Sequence, residues 1–384
     1  MKRSLFFLLF LSFAFCAPAN NDSLLIRQLL HDLDALQLKV DDDEFYAGMW
    51  PGTRKGGGIP HNLQPDNNIF FTALSAFTLT NMLPYLEGEN KITGQKIIEN
   101  ATKAYPHFQN ELGKPFYNFW PTNAPIMPHS VFFKYLTSVF YQGEDADDTV
   151  MILMSAKNND SNNAEVKQRM IEVSNLSIKK INSTFPDYRD LPAYSTWLGY
   201  KMPPDFDFGV QCNILYFMYQ KQLFNSKQDT ATLQLIVDIA KTRKYMLRPA
   251  YISSYYVTSA IELYHLTRLM AAFSIPELDA LKPQIIADIH TLLESSKNLM
   301  DQIILRTSLL RLQAKAPPLE IYAVSDFEES NQQDYIYFQA RPAFWYPTPF
   351  KQIFLHLPYI NSYFYCPAYN KTLWLEYLVE KGKS

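Results

Sequence analysis

The 384-residue chain is long enough for one large domain or two ordinary ones, and 35 Lys and Arg against 38 Asp and Glu leave a net charge of −3. No basic surplus suits it to nucleic acid or to an anionic membrane surface. Apolar residues at 47%, aromatic residues at 15% and only 12 glycines supply ample core material, exclude a disordered chain, and argue against glycine-rich β architectures and phosphate loops.

In chain order, Lys2 and Arg3 precede an apolar run from Leu5 to Phe15, and Ala17-Pro18-Ala19 offers small residues at −3 and −1. That is the pattern of a cleaved secretory signal over residues 1–19, which would leave residues 20–384 as an exported protein, periplasmic or secreted. No later apolar stretch reaches the ~20 residues of a membrane span. Cys212 and Cys366 sit in apolar surroundings and read as buried free thiols.

Helical patterns follow over Ser23–Val40, Asn67–Leu86, Thr93–Leu112 (polar), Ser130–Tyr141, Val150–Ala156, Glu165–Ile181, Asp207–Phe224, Thr230–Met246, Tyr251–Phe273, Glu277–Ser295 and Leu299–Gln313. Arg54-Lys55-Gly56-Gly57-Gly58 reads as a linker. Leu319–Val324 and Asp334–Gln339 read as the arms of a β-hairpin. Helices apolar on every side begin near 67, 148, 207, 251, 299 and 366, with one-sided helices between most of them. A helix apolar all round must be covered, and a one-sided helix covers something. Six covered helices alternating with covering ones predict an all-α fold. They would form a single (α/α)6 toroid, an inner ring of parallel helices inside an outer ring, with loop and β-hairpin insertions at the rim. No composition break divides it.

Metal and nucleotide signatures are absent: no His-Glu-x-x-His, no Cys-x-x-Cys, no Gly-x-Ser-x-Gly and no Walker loop. The conspicuous motif is Asp145-Ala146-Asp147-Asp148-Thr149 at the start of an apolar helix. Two readings stand. Adjacent carboxylates and partial desolvation hold one carboxyl protonated, which makes a general acid. Alternatively, Asp at an N-cap and first turn only satisfies free N–H groups and complements the helix dipole.

At this motif the chain resembles the α/α-toroid superfamily of terpene cyclases and protein prenyltransferases. Asp145-Ala-Asp147-Asp148-Thr-Val-Met is similar to the Asp-x-Asp-Asp-Thr-Ala-Met signature of class II cyclases, which protonate a polyene. The wider resemblance is to uncharacterised bacterial toroid proteins. It runs through Asp66-Asn67-Asn68 to Thr72, Thr196-Trp197 to Asp207-x-x-Val210-x-x-Asn213, and Ser362 to Pro367-Ala368 with Leu375-Glu376. The resemblance implies an acid role for Asp147 and supporting roles for Asp145 and Asp148. Prenyltransferase zinc ligands have no counterpart, so no metal and no cofactor are implied.

Parallel inner helices would gather their N-termini at one rim, giving a mouth with Asp66, Asp207, Tyr255, Tyr256 and Trp197 as ligand-binding residues beside Asp147. Glu262, in an apolar helix, should be hydrogen-bonded, with His265 and Arg268 nearby, or should face outward. The leading function is an exported toroid enzyme using Asp147 as a general acid on a hydrophobic or amphiphilic small molecule. The alternatives are a glycan-active hydrolase or lyase with paired carboxylates, and a non-catalytic ligand-binding or scaffold toroid. A small-molecule or glycan ligand is the expected partner; oligomeric state is not written in the sequence.

Overall fold

A computed structural model describes residues 21–56, 63–122, 124, 128–129, 143–200, 202–330, 334–341, 347, 350–355, 357 and 361–383. The expected signal segment at residues 1–19 and the expected helix Ser130–Tyr141 lie outside them.

The fold is mostly helical with a few short strands. Its first half holds α1 (Asn21–Leu36), α2 (Phe70–Met82), α3 (Gly88–Ala101), α4 (Ala146–Ser155), α5 (Asp160–Glu172), α6 (Phe208–Gln220), α7 (Lys227–Lys241) and α8 (Lys244–Leu247). Its second half holds α9 (Pro249–Ile252), α10 (Ser259–Ala272), α11 (Pro276–Asp279), α12 (Lys282–Ser295), α13 (Leu299–Arg311), α14 (Val324–Glu329), α15 (Phe350–Leu355) and α16 (Pro367–Gly382). Side chains set several starts. Asp145, Asp207, Thr258 and Asn298 each accept backbone N–H groups at the heads of α4, α6, α10 and α13, and Ser226 with Asp229 forms a capping box on α7.

Six of these helices touch in cyclic order: α2 packs on α4, α4 on α6, α6 on α10, α10 on α13, α13 on α16, and α16 on α2. They include the segments whose sequence is apolar on every side, and most of their residues are buried. One-sided helices lie against them: α3 on α2, α7 on α6, α12 on α13 and α1 on α16. One hydrophobic cluster runs from Leu25 in α1 to Val379 in α16.

Two expectations fail. Leu319–Val324 is not a strand: it is irregular chain leading into α14, with Tyr322 65% exposed where a half-buried alternation would need it covered. The strand nearest the other expected arm, β5 (Phe338–Ala340), pairs with β6 (Ser362–Tyr365) near the chain's end. Residues 54–56 of the supposed linker are strand. Gly52–Gly56 forms β1, antiparallel to β2 (Gln64–Asp66) and to β6, so that an antiparallel sheet runs β2-β1-β6-β5. A further short pair joins β3 (Tyr117–Asn118) to β4 (Glu144–Asp145).

The reason for β1 is Arg54. Its side chain is wholly buried and its Nε donates to Asp66 Oδ2 at 2.7 Å, with Nη2 donating to the Pro128 carbonyl at 2.6 Å. A guanidinium this deep needs its partner, and the pairing fastens β1 to β2. Arg54→Met should therefore lower unfolding free energy by about 3–5 kcal/mol, since it strands a buried Asp66, and Arg54→Met with Asp66→Asn should recover part of the loss. Urea unfolding checks both; a single-variant loss below about 1 kcal/mol would contradict the role given to the pair.

Candidate active site at the helix starts

The heads of α2, α4, α6 and the segment before α10 meet. Phe70, Asp145, Asp147, Asp148, Thr196, Val210, Tyr255 and Phe338 surround one enclosed gap, with room for about a single water molecule. The sequence predicts one continuous helix over Tyr251–Phe273, but the chain breaks between α9 and α10. Asp207 causes the break. Its Oδ1 caps α6 by accepting from the Gly209 and Val210 N–H groups at 3.0 and 3.2 Å. Its Oδ2 accepts from the Ser253 hydroxyl at 2.6 Å and the Tyr255 N–H at 2.9 Å, holding residues 253–255 out of helix. Thr258 then restarts the helix.

This extended segment delivers Tyr256. Its hydroxyl donates to Asp147 Oδ2, while Asn213 Nδ2 in α6 donates to Asp147 Oδ1 at 2.7 Å. The Tyr256 ring lies against the start of α6, where a Cβ on Gly209 would sit 2.3 Å from it. Only glycine admits the ring there. Tyr255 stacks on Phe338 with ring centroids 5.7 Å apart, and its carbonyl accepts from the Gln339 N–H, which ties β5 over the helix heads. Trp197 pairs its backbone with Asp145 and meets Tyr255 edge-on at 6.4 Å.

The four carboxyls differ in what they do. Asp145 caps α4, with Oδ1 accepting from the N–H groups of Asp147 and Asp148 at 2.6 and 3.3 Å. Asp207 caps α6. Asp147 and Asp148 cap nothing. Asp147, 3% exposed, takes side-chain donors from two distant segments. Asp148 is 1% exposed and its Oδ1 has no hydrogen-bond partner.

Burial pushes the Asp147 carboxyl up to about 6, against the pull of the Tyr256 and Asn213 donors, with the Asp207 charge adding to the rise and Arg268 opposing it. Burial, then the charges of Asp145 and Asp147, hold Asp148 well above the ordinary carboxylate range. Asp145 is raised by burial and by Asp147, partly offset by its two backbone donors. Asp205, also buried, is pushed up to about 7 by burial.

Of the expected ligand-binding residues, Asp207, Tyr255, Tyr256 and Trp197 gather around the Asp145–Asp148 turn. Asp66 does not join them: Arg54, the Asn68 amide at 2.9 Å and the Trp120 indole N–H at 3.0 Å hold it. Glu262 matches neither sequence expectation, being fully buried with no hydrogen-bond partner on either oxygen, so burial keeps it protonated far above the usual range. His265 and Arg268 turn instead to Asn213, whose Oδ1 accepts from Arg268 Nη2 and lies 2.9 Å from His265 Nδ1. Sequence reasoning missed Asn213, His265 and Arg268 as part of this site; Asn213 and His265 are 52 residues apart, and only helix packing unites them. Cys212 and Cys366 are buried free thiols. Among the described residues no group of three or more His, Cys, Asp or Glu could hold a metal ion, and no helix is long and apolar enough to cross a membrane.

Asp147 binds its proton more tightly folded than unfolded, so its contribution to stability is full below about pH 4 and is lost as pH rises through about 6. Stability should thus fall between pH 4 and 6, and Asp147→Asn should flatten that part of the profile. Urea midpoints across this range check it; an unchanged slope in the variant would contradict the assignment. Searches of known protein families, of curated proteins and of solved structures each find no match to this chain.

Proposed function

We propose that the chain is a single (α/α)6 toroid, exported after loss of its first 19 residues, that uses Asp147 as a general acid on a hydrophobic or amphiphilic small molecule. Support for the toroid comes from the cyclic contact order of α2, α4, α6, α10, α13 and α16 and from the gathering of the heads of α2, α4, α6, α10 and α16. Phe70, Asp147, Val210 and Tyr255 share one gap, and Tyr369, at the head of α16, packs on Phe71.

One observation carries the acid reading. Asp147 and Asp148 are buried carboxyls in the first turn of α4 that cap no helix, so the capping that accounts for Asp145 and Asp207 does not account for them and only the helix dipole is left as a structural role. Carboxyls buried at a cost in stability and raised toward neutrality mark functional sites. A carboxyl near 6 is matched to acid work at neutral pH. On giving its proton to a carbon of a C=C bond, Asp147 becomes a carboxylate already supplied with two donors, Asn213 and Tyr256. The positive charge left on the ligand would face the rings of Phe70, Tyr255 and Phe338.

The single-water gap favours a second reading, a toroid that binds a ligand without turning it over, because a substrate reaches Asp147 only if the rings part. Paired-carboxylate glycan chemistry asks for two carboxyls facing an open cleft, which suits this gap less well.

Geranylgeraniol and its diphosphate, incubated with the protein in D2O, test the proposal. The expected result is a cyclised or hydrated product carrying deuterium. Asp147→Asn should cut the rate by about 100-fold or more, the lower end of what a positioned acid supplies, in a variant whose circular dichroism shows it still folded. Tyr256→Phe removes a donor that favours the ionised form, so it should move the alkaline limb of the rate profile, where Asp147 loses its proton, upward from about 6. Full turnover by Asp147→Asn would sink the acid role, and binding without conversion would favour the second reading.

A further inference from the structure

At the far ends of the same helices the chain encloses a funnel of about 820 Å³, within the roughly 300–1,000 Å³ usual for small-molecule sites. Its wall comes from the C-terminal parts of α2, α6, α10, α13 and α16, including Asn81, Tyr216, Ala272, Arg311 and Glu376. None of the residues that line the gap beside Asp147 lines this funnel, and Arg268, which holds Asn213, lies at its floor.

The charges in the funnel sort by partner. Arg311 is ion-paired with Glu376, and Lys383 with Glu380 at 2.6 Å. Lys315, exposed at the rim, has no ion pair among the described residues. Arg268 is the anomaly. It is 4% exposed, lies over the Phe77 and Tyr264 rings, and has no carboxylate partner among the described residues; Nη2 reaches Asn213, while Nη1 is buried with no hydrogen-bond partner. Cations at helix C-termini complement the helix dipole, which accounts for the rim residues Lys315 and Lys383. It does not account for a guanidinium sunk to the floor, because buried charges are normally paired. The wall beside it is apolar and aromatic: Tyr216, 8% exposed, and the small side chains of Ala271 and Ala272.

We infer that this funnel is a binding site for a small organic anion with an apolar body, its carboxylate or phosphate oxygens meeting Arg268 and Lys315 and its body lying against Tyr216 and Ala272. A guanidinium suits both oxyanions through parallel N–H donors. The proposal does not rest on the role given to Asp147, although Arg268 also holds Asn213, and either can fail alone.

Calorimetric titration with phenyl phosphate and benzoate, beside inorganic phosphate and benzyl alcohol, tests it. The expected result is saturable one-to-one binding of at least one aromatic anion, tighter than inorganic phosphate and with no saturable binding of benzyl alcohol. Arg268→Gln should weaken binding more than 10-fold. Ala272→Trp, which fills the funnel from its exposed wall and leaves Arg268 in place, should abolish binding and decides the matter if Arg268→Gln does not fold. No saturable binding of either aromatic anion, equal binding of benzyl alcohol, or affinity unchanged in the folded variants would each overturn the site.

Discussion

The organisation of the site depends on the buried carboxylate of Asp207. Four donors from two segments converge on it: two N–H groups at the head of α6, and the Ser253 hydroxyl with the Tyr255 N–H ahead of α10. The first pair makes it a cap. The second pair stops α9 from running into α10 and turns residues 253–256 toward α4. Through that turn Tyr256 reaches Asp147 and Tyr255 reaches Phe338. The charge of Asp207 also raises the carboxyls of Asp145, Asp147, Asp205 and Glu262. One side chain thus sets local geometry and local protonation together.

The cost of this arrangement is high, because burial disfavours every charged form it encloses. The chain meets part of the cost with donors and part with retained protons. Asp147 is steadied by Asn213 and Tyr256, and Asn213 in turn is held by Arg268, so a polar column runs from Asp147 through Asn213 to the floor of the distal funnel. Lys351, itself buried, offsets Asp205. Asp148 and Glu262 have buried oxygens with no hydrogen-bond partner among the described residues. Such groups persist where they are neutral or where a ligand completes them.

Much of the helical frame was legible because it rests on apolar periodicity. The helices Asp207–Phe224, Leu299–Gln313 and Thr230–Met246 were expected within a few residues of α6, α13 and α7, and the Asp145 and Asp207 caps follow from residue type alone. What escaped was long-range or carried by single buried polar groups. The hairpin over 319–339 was misassigned because β5 takes its partner from β6, some 25 residues further on. Arg54 read as a linker residue because a basic residue before three glycines gives no local sign of a buried Asp66. The continuous helix over Tyr251–Phe273 was broken by a carboxylate more than 40 residues away. Likewise Glu262 was paired with its own helix neighbours, whereas Asn213, from α6, gave His265 and Arg268 a better acceptor.

The central claim is that the carboxyls at the head of α4 do not share one protonation state. Carbon-13 NMR of protein labelled at the Asp carboxyl carbons reads each state directly, with Asp147→Asn and Asp148→Asn assigning the signals. Asp147 should titrate near 6, and Asp148 should keep its proton well above the ordinary carboxylate range. If every Asp carboxyl instead titrated close to its ordinary value of about 4, Asp147 and Asp148 would be plain helix-head carboxylates and the acid site would not exist.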